Sequence, residues 1–134
     1  MEITYQTNPP LTAEQALNIY KQSGLSRPKD LQRVQAMIDH ANVTIAAWHG
    51  EELVGFLRAM SDFTFDCYIN DLAVHKNYQK LGIGRQLINH LTELLGDGVL
   101  VFLISSQDAT SFYTKINFKG DFEKVGEPIC MITG

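Results

Sequence analysis

The residues of this chain best equipped for chemistry lie in one segment. It runs Ile69-Asn70-Asp71-Leu72-Ala73-Val74, crosses four residues, and resumes as Gln79-Lys80-Leu81-Gly82-Ile83-Gly84-Arg85. The pattern reads as a strand, a glycine-containing loop and the start of a helix. Glycine lets backbone N–H groups face a ligand without a Cβ in the way. A helix N-terminus adds unpaired N–H donors and a partial positive charge, which together make an anion site suited to a pyrophosphate. Lys80 and Arg85 place mobile positive charge beside it, although Arg85 is equally well explained as a solvated residue of the first helical turn. The glycine spacing is not diagnostic by itself. At ~7% glycine, a chain of this length contains a Gly-x-Gly about 0.6 times by chance. The dinucleotide fingerprint fails because Leu87 stands where its third glycine belongs, and a P-loop fails because Gly-Lys-Ser/Thr is absent.

The elements that must position this segment can be read from periodicity and stop signals. Ile3 to Thr7 is a short β-prone run ended by Asn8-Pro9-Pro10. Thr12 and Gln15 have capping-box spacing, Ala13, Ala16, Leu17 and Tyr20 follow at helical spacing, and Gly24 is a terminator. A second helix is expected from about Pro28 to Ala41, with Leu31, Val34, Met37 and Ile38 as its apolar stripe. Val43–Trp48, Leu53–Met60 and Phe65–Val74 then read as an antiparallel meander. Leu87, Ile88, Leu91, Leu94 and Leu95 mark one face of a strong helix that Gly96-Asp97-Gly98 ends. Val99–Ser105 reads as a strand covered on both faces. A short helix over Asp108–Ile116 and two strands, Phe118–Glu123 and Ile129–Thr133, complete the order β-α-α-β-β-β-α-β-α-β-β. The expectation is one α/β domain over residues 1–134, with a mixed, mostly antiparallel sheet flanked by helices.

Composition narrows the field. With 134 residues, 45% of them apolar and 19% charged, the chain reads as globular and long enough to bury a core. Its net charge of −4 argues against broad nucleic-acid binding, which needs a basic field. The longest apolar run, Val99 to Ile104, is far short of a membrane span, and the N-terminus has no signal-peptide pattern. Cys67 and Cys130 have no metal spacing and read as buried reduced thiols of a cytoplasmic protein. His40, His49, His75 and His90 form no ligand pair, so no metal site is expected.

Context beyond the glycines is more specific. Asp71-Leu72-Ala73-Val74, a four-residue gap, then Gln79-x-x-Gly82-Ile83-Gly84 resembles the acyl-CoA motif of the GCN5-related N-acetyltransferases. Phe112-Tyr113-Thr114-Lys115-Ile116-Asn117-Phe118 is similar to that family's Phe-Tyr-x-Lys-x-Gly-Phe segment, and the element order matches its minimal fold. Two positions depart. Asn117 stands in for glycine, the non-glycine residue best able to adopt a left-handed helix terminus. Lys76 replaces a frequent proline, which is expected to loosen the loop.

The resemblance implies acetyl-CoA as co-substrate and no metal. The backbone of Leu72, Ala73 and Val74 would pair with the pantetheine arm. The amides from Gln79 through Lys80, Leu81, Gly82 and Ile83 to Gly84 would hold the pyrophosphate, steadied by Lys80 and Arg85. Asp108 would touch the pantetheine, a role compatible with its other reading as a helix N-cap. Tyr113 would protonate the departing thiolate, its ordinary pKa lying about 1.5 units above a thiol's; the alternative is an aromatic packed beside Phe112 and Phe118. Tyr68 occupies the position of a glutamate base in some members, and Asp71 is the nearest carboxylate, so the base stays unassigned. The acceptor pocket would be built by Ser23–Asp30 and by Asp121–Pro128, where Asp121, Glu123 and Glu127 are either a lure for a cationic amine or a solvated hairpin. The expected activity is direct acetyl transfer to a small-molecule amine. The alternatives are a peptide or protein amine, or a non-catalytic acyl-CoA sensor. A homodimer follows only by analogy.

Overall fold

A computed structural model describes residues 1–118 and 130–133. The chain forms two compact units, Met1–Leu103 and Ile104–Gly134. The first holds β1 (Thr4–Thr7), α1 (Ala13–Ser23), α2 (Leu31–His40), β2 (Val43–His49), β3 (Glu52–Ser61), β4 (Asp66–Val74), α3 (Ile83–Leu95) and β5 (Leu100–Phe102). The strands lie in the order β1-β2-β3-β4-β5. The first four form an antiparallel meander, and β5 joins β4 in parallel. The mixed, mostly antiparallel sheet flanked by helices is the one the sequence implies.

Local chemistry sets the helix ends. Thr12 accepts from the Gln15 amide at 3.1 Å while the Gln15 side chain accepts from the Thr12 amide at 3.0 Å, and Gly24 closes α1 at φ +79°. The second helix starts at Leu31, three residues after Pro28, because the Asp30 carboxylate accepts from the Gln32 amide at 3.0 Å and so takes the N-cap. Ala16, Ile19 and Tyr20 of α1, and Val34 and Ile38 of α2, share a core with Ala46, Phe56 and Ala73 of the sheet. The α3 helix packs on β2, β3 and β4 through a buried stripe of Ile83, Leu87, Ile88, Leu91 and Leu95.

Two further expectations change in this unit. The strand expected over Val99–Ser105 is only Leu100–Phe102. Leu100 is 44% and Phe102 42% exposed, because the short strand pairs with β4 alone among the described residues instead of lying inside the sheet. The loop around Lys76 is not loosened. Lys76–Tyr78 form a 3-10 turn, with the His75 ring accepting from the Asn77 amide at 3.1 Å and the His75 carbonyl from the Tyr78 amide at 2.8 Å.

In the second unit a 3-10 turn over Gln107–Ala109 leads into α4 (Thr110–Lys115). Asp108 therefore sits inside the turn and does not cap the helix, whose cap position is Ala109. Asn117 takes the left-handed conformation at φ +76°, and the Phe118 amide returns to the Tyr113 carbonyl at 3.0 Å. Glycine's usual task there is met by asparagine. The strand expected over Phe118–Glu123 lies outside the described residues beyond Phe118, as does Ile129, and Cys130–Thr133 carry no strand. Cys67 is buried and free, but Cys130 is exposed, which corrects the expectation that both are buried.

Candidate functional site

The site is built on β4. Gly55, Phe56, Leu57 and Arg58 of β3 pair in turn with Val74, Ala73, Leu72 and Asp71, but Ala59 pairs with Ile69. Asn70 is thus an extra residue, a β-bulge that bends the strand. On its other edge β4 pairs with β5 only through Asp66, Cys67 and Tyr68. From Ile69 to Val74 that edge has no strand neighbour among the described residues, so an extended ligand can hydrogen-bond along it. Leu72, Ala73 and Val74 lie on this free stretch. Two carbonyls are engaged within the chain: Val74 accepts from Gln79 Nε2 at 2.9 Å, and Asn70 from Arg27 Nη2 at 2.8 Å. Gln79 thus ties the loop to the strand end through its side chain.

The loop then turns sharply into α3. Lys80 (φ +65°) and Gly82 (φ +84°) both take left-handed conformations. Gly82 is the N-cap and provides no side-chain cap, in contrast to Thr12 and Asp30 at the two earlier helices. The first ladder bond runs from the Gln86 amide to the Gly82 carbonyl at 3.0 Å, which leaves the preceding amides of the first turn without a helical acceptor. Gln79, Lys80, Leu81, Gly82 and Arg85 are exposed, while the Ile83 side chain is buried and anchors the turn. An open strand edge leading into an uncapped helix N-terminus fits a long amide-bearing arm that ends in a pyrophosphate, which is the chemistry of coenzyme A.

Asp108 and Tyr113 belong to the second unit. Tyr113 lies on α4 with its ring 5.1 Å from Phe112 and 5.5 Å from Phe118, both edge-on, so its packing with these neighbours is real whatever else the phenol does.

The structure also shows what sequence reasoning missed. Asp71 is 1% exposed and faces α1. One of its oxygens accepts from Tyr20 Oη at 2.5 Å and from Arg58 Nε at 2.6 Å, and the other from Arg27 Nε at 2.6 Å. Burial alone would push its carboxyl up, but the bonds from Arg58 and Tyr20, with the charge of Arg58, hold it below the ordinary range. Burial, reinforced by the Asp71 charge, pushes the Tyr20 phenol far up. A carboxylate so enclosed and so heavily bonded cannot collect a proton from an amine, and Asp71 is removed as a base. The signal for this cluster was present as Arg58, a lone charge inside the apolar run Leu53–Ala59. Tyr68 pairs with Met60 on one side and Phe102 on the other, its ring 5.1 Å from that of Phe102. Two enclosed side-chain atoms, Trp48 Nε1 and Asn70 Oδ1, have no hydrogen-bond partner among the described residues. Those residues contain no group of three or more His, Cys, Asp or Glu able to hold a metal, and no helix long and apolar enough to cross a membrane.

Comparison with known proteins agrees with this geometry. An uncharacterized N-acetyltransferase, ycf52, from Pyropia yezoensis is 29% identical over 83% of this chain and 70% of its own. The chain spans 53–57% of the length of three other ycf52 and ycf52-like relatives, and 30–37% of the length of the acetyltransferases from Glycine max and Arabidopsis thaliana that it also matches. A Staphylococcus aureus protein of unknown function has the same fold, with a TM-score of 0.82 at 23% identity over 98% of this chain and 100% of that one. So does a GNAT family acetyltransferase from Streptococcus pneumoniae, with a TM-score of 0.76 at 20% identity over 99% and 98% of the two chains. The sequence pattern of the acetyltransferase (GNAT) family matches residues 11–118, spanning the bulged β4, the glycine loop and the Tyr113 helix, and the chain belongs to that family.

Proposed function

We propose that the protein is an acetyl-CoA-dependent N-acetyltransferase, one domain over residues 1–134, that transfers acetyl directly to the primary amine of a small molecule. The observation that carries this reading is the unpaired β4 edge from Ile69 to Val74 leading into the uncapped N-terminus of α3. Acetyl-CoA supplies the activated acetyl group. Leu72–Val74 take the pantetheine arm, and the turn from Gln79 to Gly84 takes the pyrophosphate with Lys80 and Arg85 beside it. Asp108 is assigned a pantetheine contact. Tyr113 is assigned the return of a proton to the thiolate, a task that suits a phenol near neutral pH.

The acceptor must lose a proton before it attacks. For an amine of pKa ~10.4, neutralisation at pH 7 costs about 4.6 kcal/mol. With Asp71 locked in its cluster, the base is left unassigned and water is the proton's exit. A cytoplasmic setting belongs to the same reading and is supported by the free thiols of Cys67 and Cys130; a homodimer rests on family analogy.

The test is titration calorimetry of acetyl-CoA against the purified protein, with CoA and NAD as comparisons, followed by an amine panel scored by thiol release. Selective binding of the CoA compounds and turnover of an amine support the enzyme. Binding without turnover of any small or peptide amine turns the reading to a sensor, and no binding removes it.

A further inference from the structure

Arg58 lies in β3 directly across from Asp71, one step from the bulge. Its side chain is 8% exposed; Nε donates to Asp71 at 2.6 Å, and the guanidinium also shares a hydrogen bond with Tyr20. A guanidinium carries five N–H donors, more than Asp71 and Tyr20 take up. The 8% of the side chain that stays exposed keeps the group within reach of solvent. Asp71 is shared between Arg58 and Arg27, which leaves one positive charge uncompensated among the described residues. A nearly buried cation with spare donors and surplus charge is costly unless an anion completes it. The outer edge of a guanidinium matches a carboxylate in bidentate geometry. The next residue on the same face of β3, Met60, pairs with Tyr68, so this neighbouring pair is apolar and aromatic.

We infer that the acceptor amine carries a carboxylate, held end-on by Arg58 beside the bulge, so that the substrate class is amino acids. The inference rests on the acetyltransferase reading and deepens it. Polyamines and amines without an acid group are disfavoured by the same surplus charge.

The test titrates N-acetyl amino acids, the products of such a reaction, into protein saturated with CoA, each compared with its C-terminal carboxamide. The carboxylate is expected to bind at least about ten-fold more tightly, as charge-assisted hydrogen bonds imply. Arg58→Gln is expected to abolish the preference, with CoA affinity and the melting temperature read on the same sample to show that it is folded. Equal affinities for acid and amide in the unmodified protein, or no binding of any acid, overturn the inference. Failure of CoA itself to bind overturns the acetyltransferase reading instead.

Discussion

Replacing Asp71 by Asn tests whether the buried charge cluster holds the site together. The substitution keeps volume and some hydrogen bonding but removes the one carboxylate between Arg27 and Arg58. Arg27 is 27% exposed along its side chain, so water screens part of the loss, whereas Arg58 at 8% is shielded from such relief. Breaking a buried pair from one side costs roughly 3–5 kcal/mol, and the partial exposure of Arg27 places the expectation near the lower figure, about 3 kcal/mol. For a domain of this size that is a fall of roughly 10 °C in melting temperature. Urea denaturation and thermal melts measure it. The pH dependence has a definite sign. The folded carboxyl titrates below its unfolded value, so the unfolded state binds more protons as pH falls through the carboxylate range. Stability from Asp71 is therefore complete above the ordinary carboxylate pKa and is lost in acid as the folded group protonates. Asp71→Asn should flatten that acid limb while lowering stability at pH 7. A loss below about 1 kcal/mol at pH 7, with an unchanged acid limb, would falsify the cluster as a structural element.

Tyr113→Phe is expected to lower kcat ten-fold or more with acetyl-CoA affinity nearly unchanged, measured by thiol release and calorimetry; unchanged turnover removes the phenol from the acid role. Gly82→Val is expected to weaken acetyl-CoA binding by about ten-fold. A Cβ at residue 82 would meet nothing within 4 Å, so the cause is the backbone at φ +84°, which a β-branched residue tolerates only with strain of ~1–3 kcal/mol. Retained affinity would move the phosphate site elsewhere. Thr12→Ala should cost about 1 kcal/mol in denaturation, since both halves of the capping box are lost together; a neutral result would mean that packing alone fixes the start of α1.

Much of the fold was legible because its signals are local. Thr12 and Gly24 delimit α1, the meander strands appear within a residue or two of their expected ends, and the expected stripe of α3 is buried except at Leu94, which is 42% exposed. The left-handed turn at Asn117 followed from the residue type. Long-range partners were not legible. Pro28 looks like a helix start, but Asp30 wins because its carboxylate reaches a first-turn amide. Val99–Ser105 is apolar enough for an interior strand, yet burial depends on neighbours that no local pattern names. The glycine loop could be read as an anion site, but Gln79 closing on Val74 could not, because that bond depends on the path of the turn.

The least legible feature is also the one that organises the site. Along β4, buried and half-buried residues alternate without interruption from Asp66 to Val74, so the sequence gives no sign of a bulge. Without one, Cys67, Ile69, Asp71 and Ala73 would share a face. The pairing says otherwise. Cys67 and Ile69 pair with Ser61 and Ala59, whereas Asp71 and Ala73 pair with Arg58 and Phe56, on the opposite face of β3. Asn70 therefore turns Asp71 toward Tyr20 and Arg27 and takes its own carbonyl out of the regular ladder. A carbonyl displaced in this way needs another donor. Arg27 supplies it through Nη2 while its Nε bonds Asp71, so one side chain from the segment between α1 and α2 secures both the bend and the carboxylate. The bend separates the strand edge from β5, and the carboxylate fixes the guanidinium of Arg58 beside it. A lysine at residue 27 would keep the charge but not the fork, and could not hold both oxygens in the same geometry. That pair of hydrogen bonds from Arg27 is the physical link between the segment joining α1 to α2 and the strand that would present the thioester.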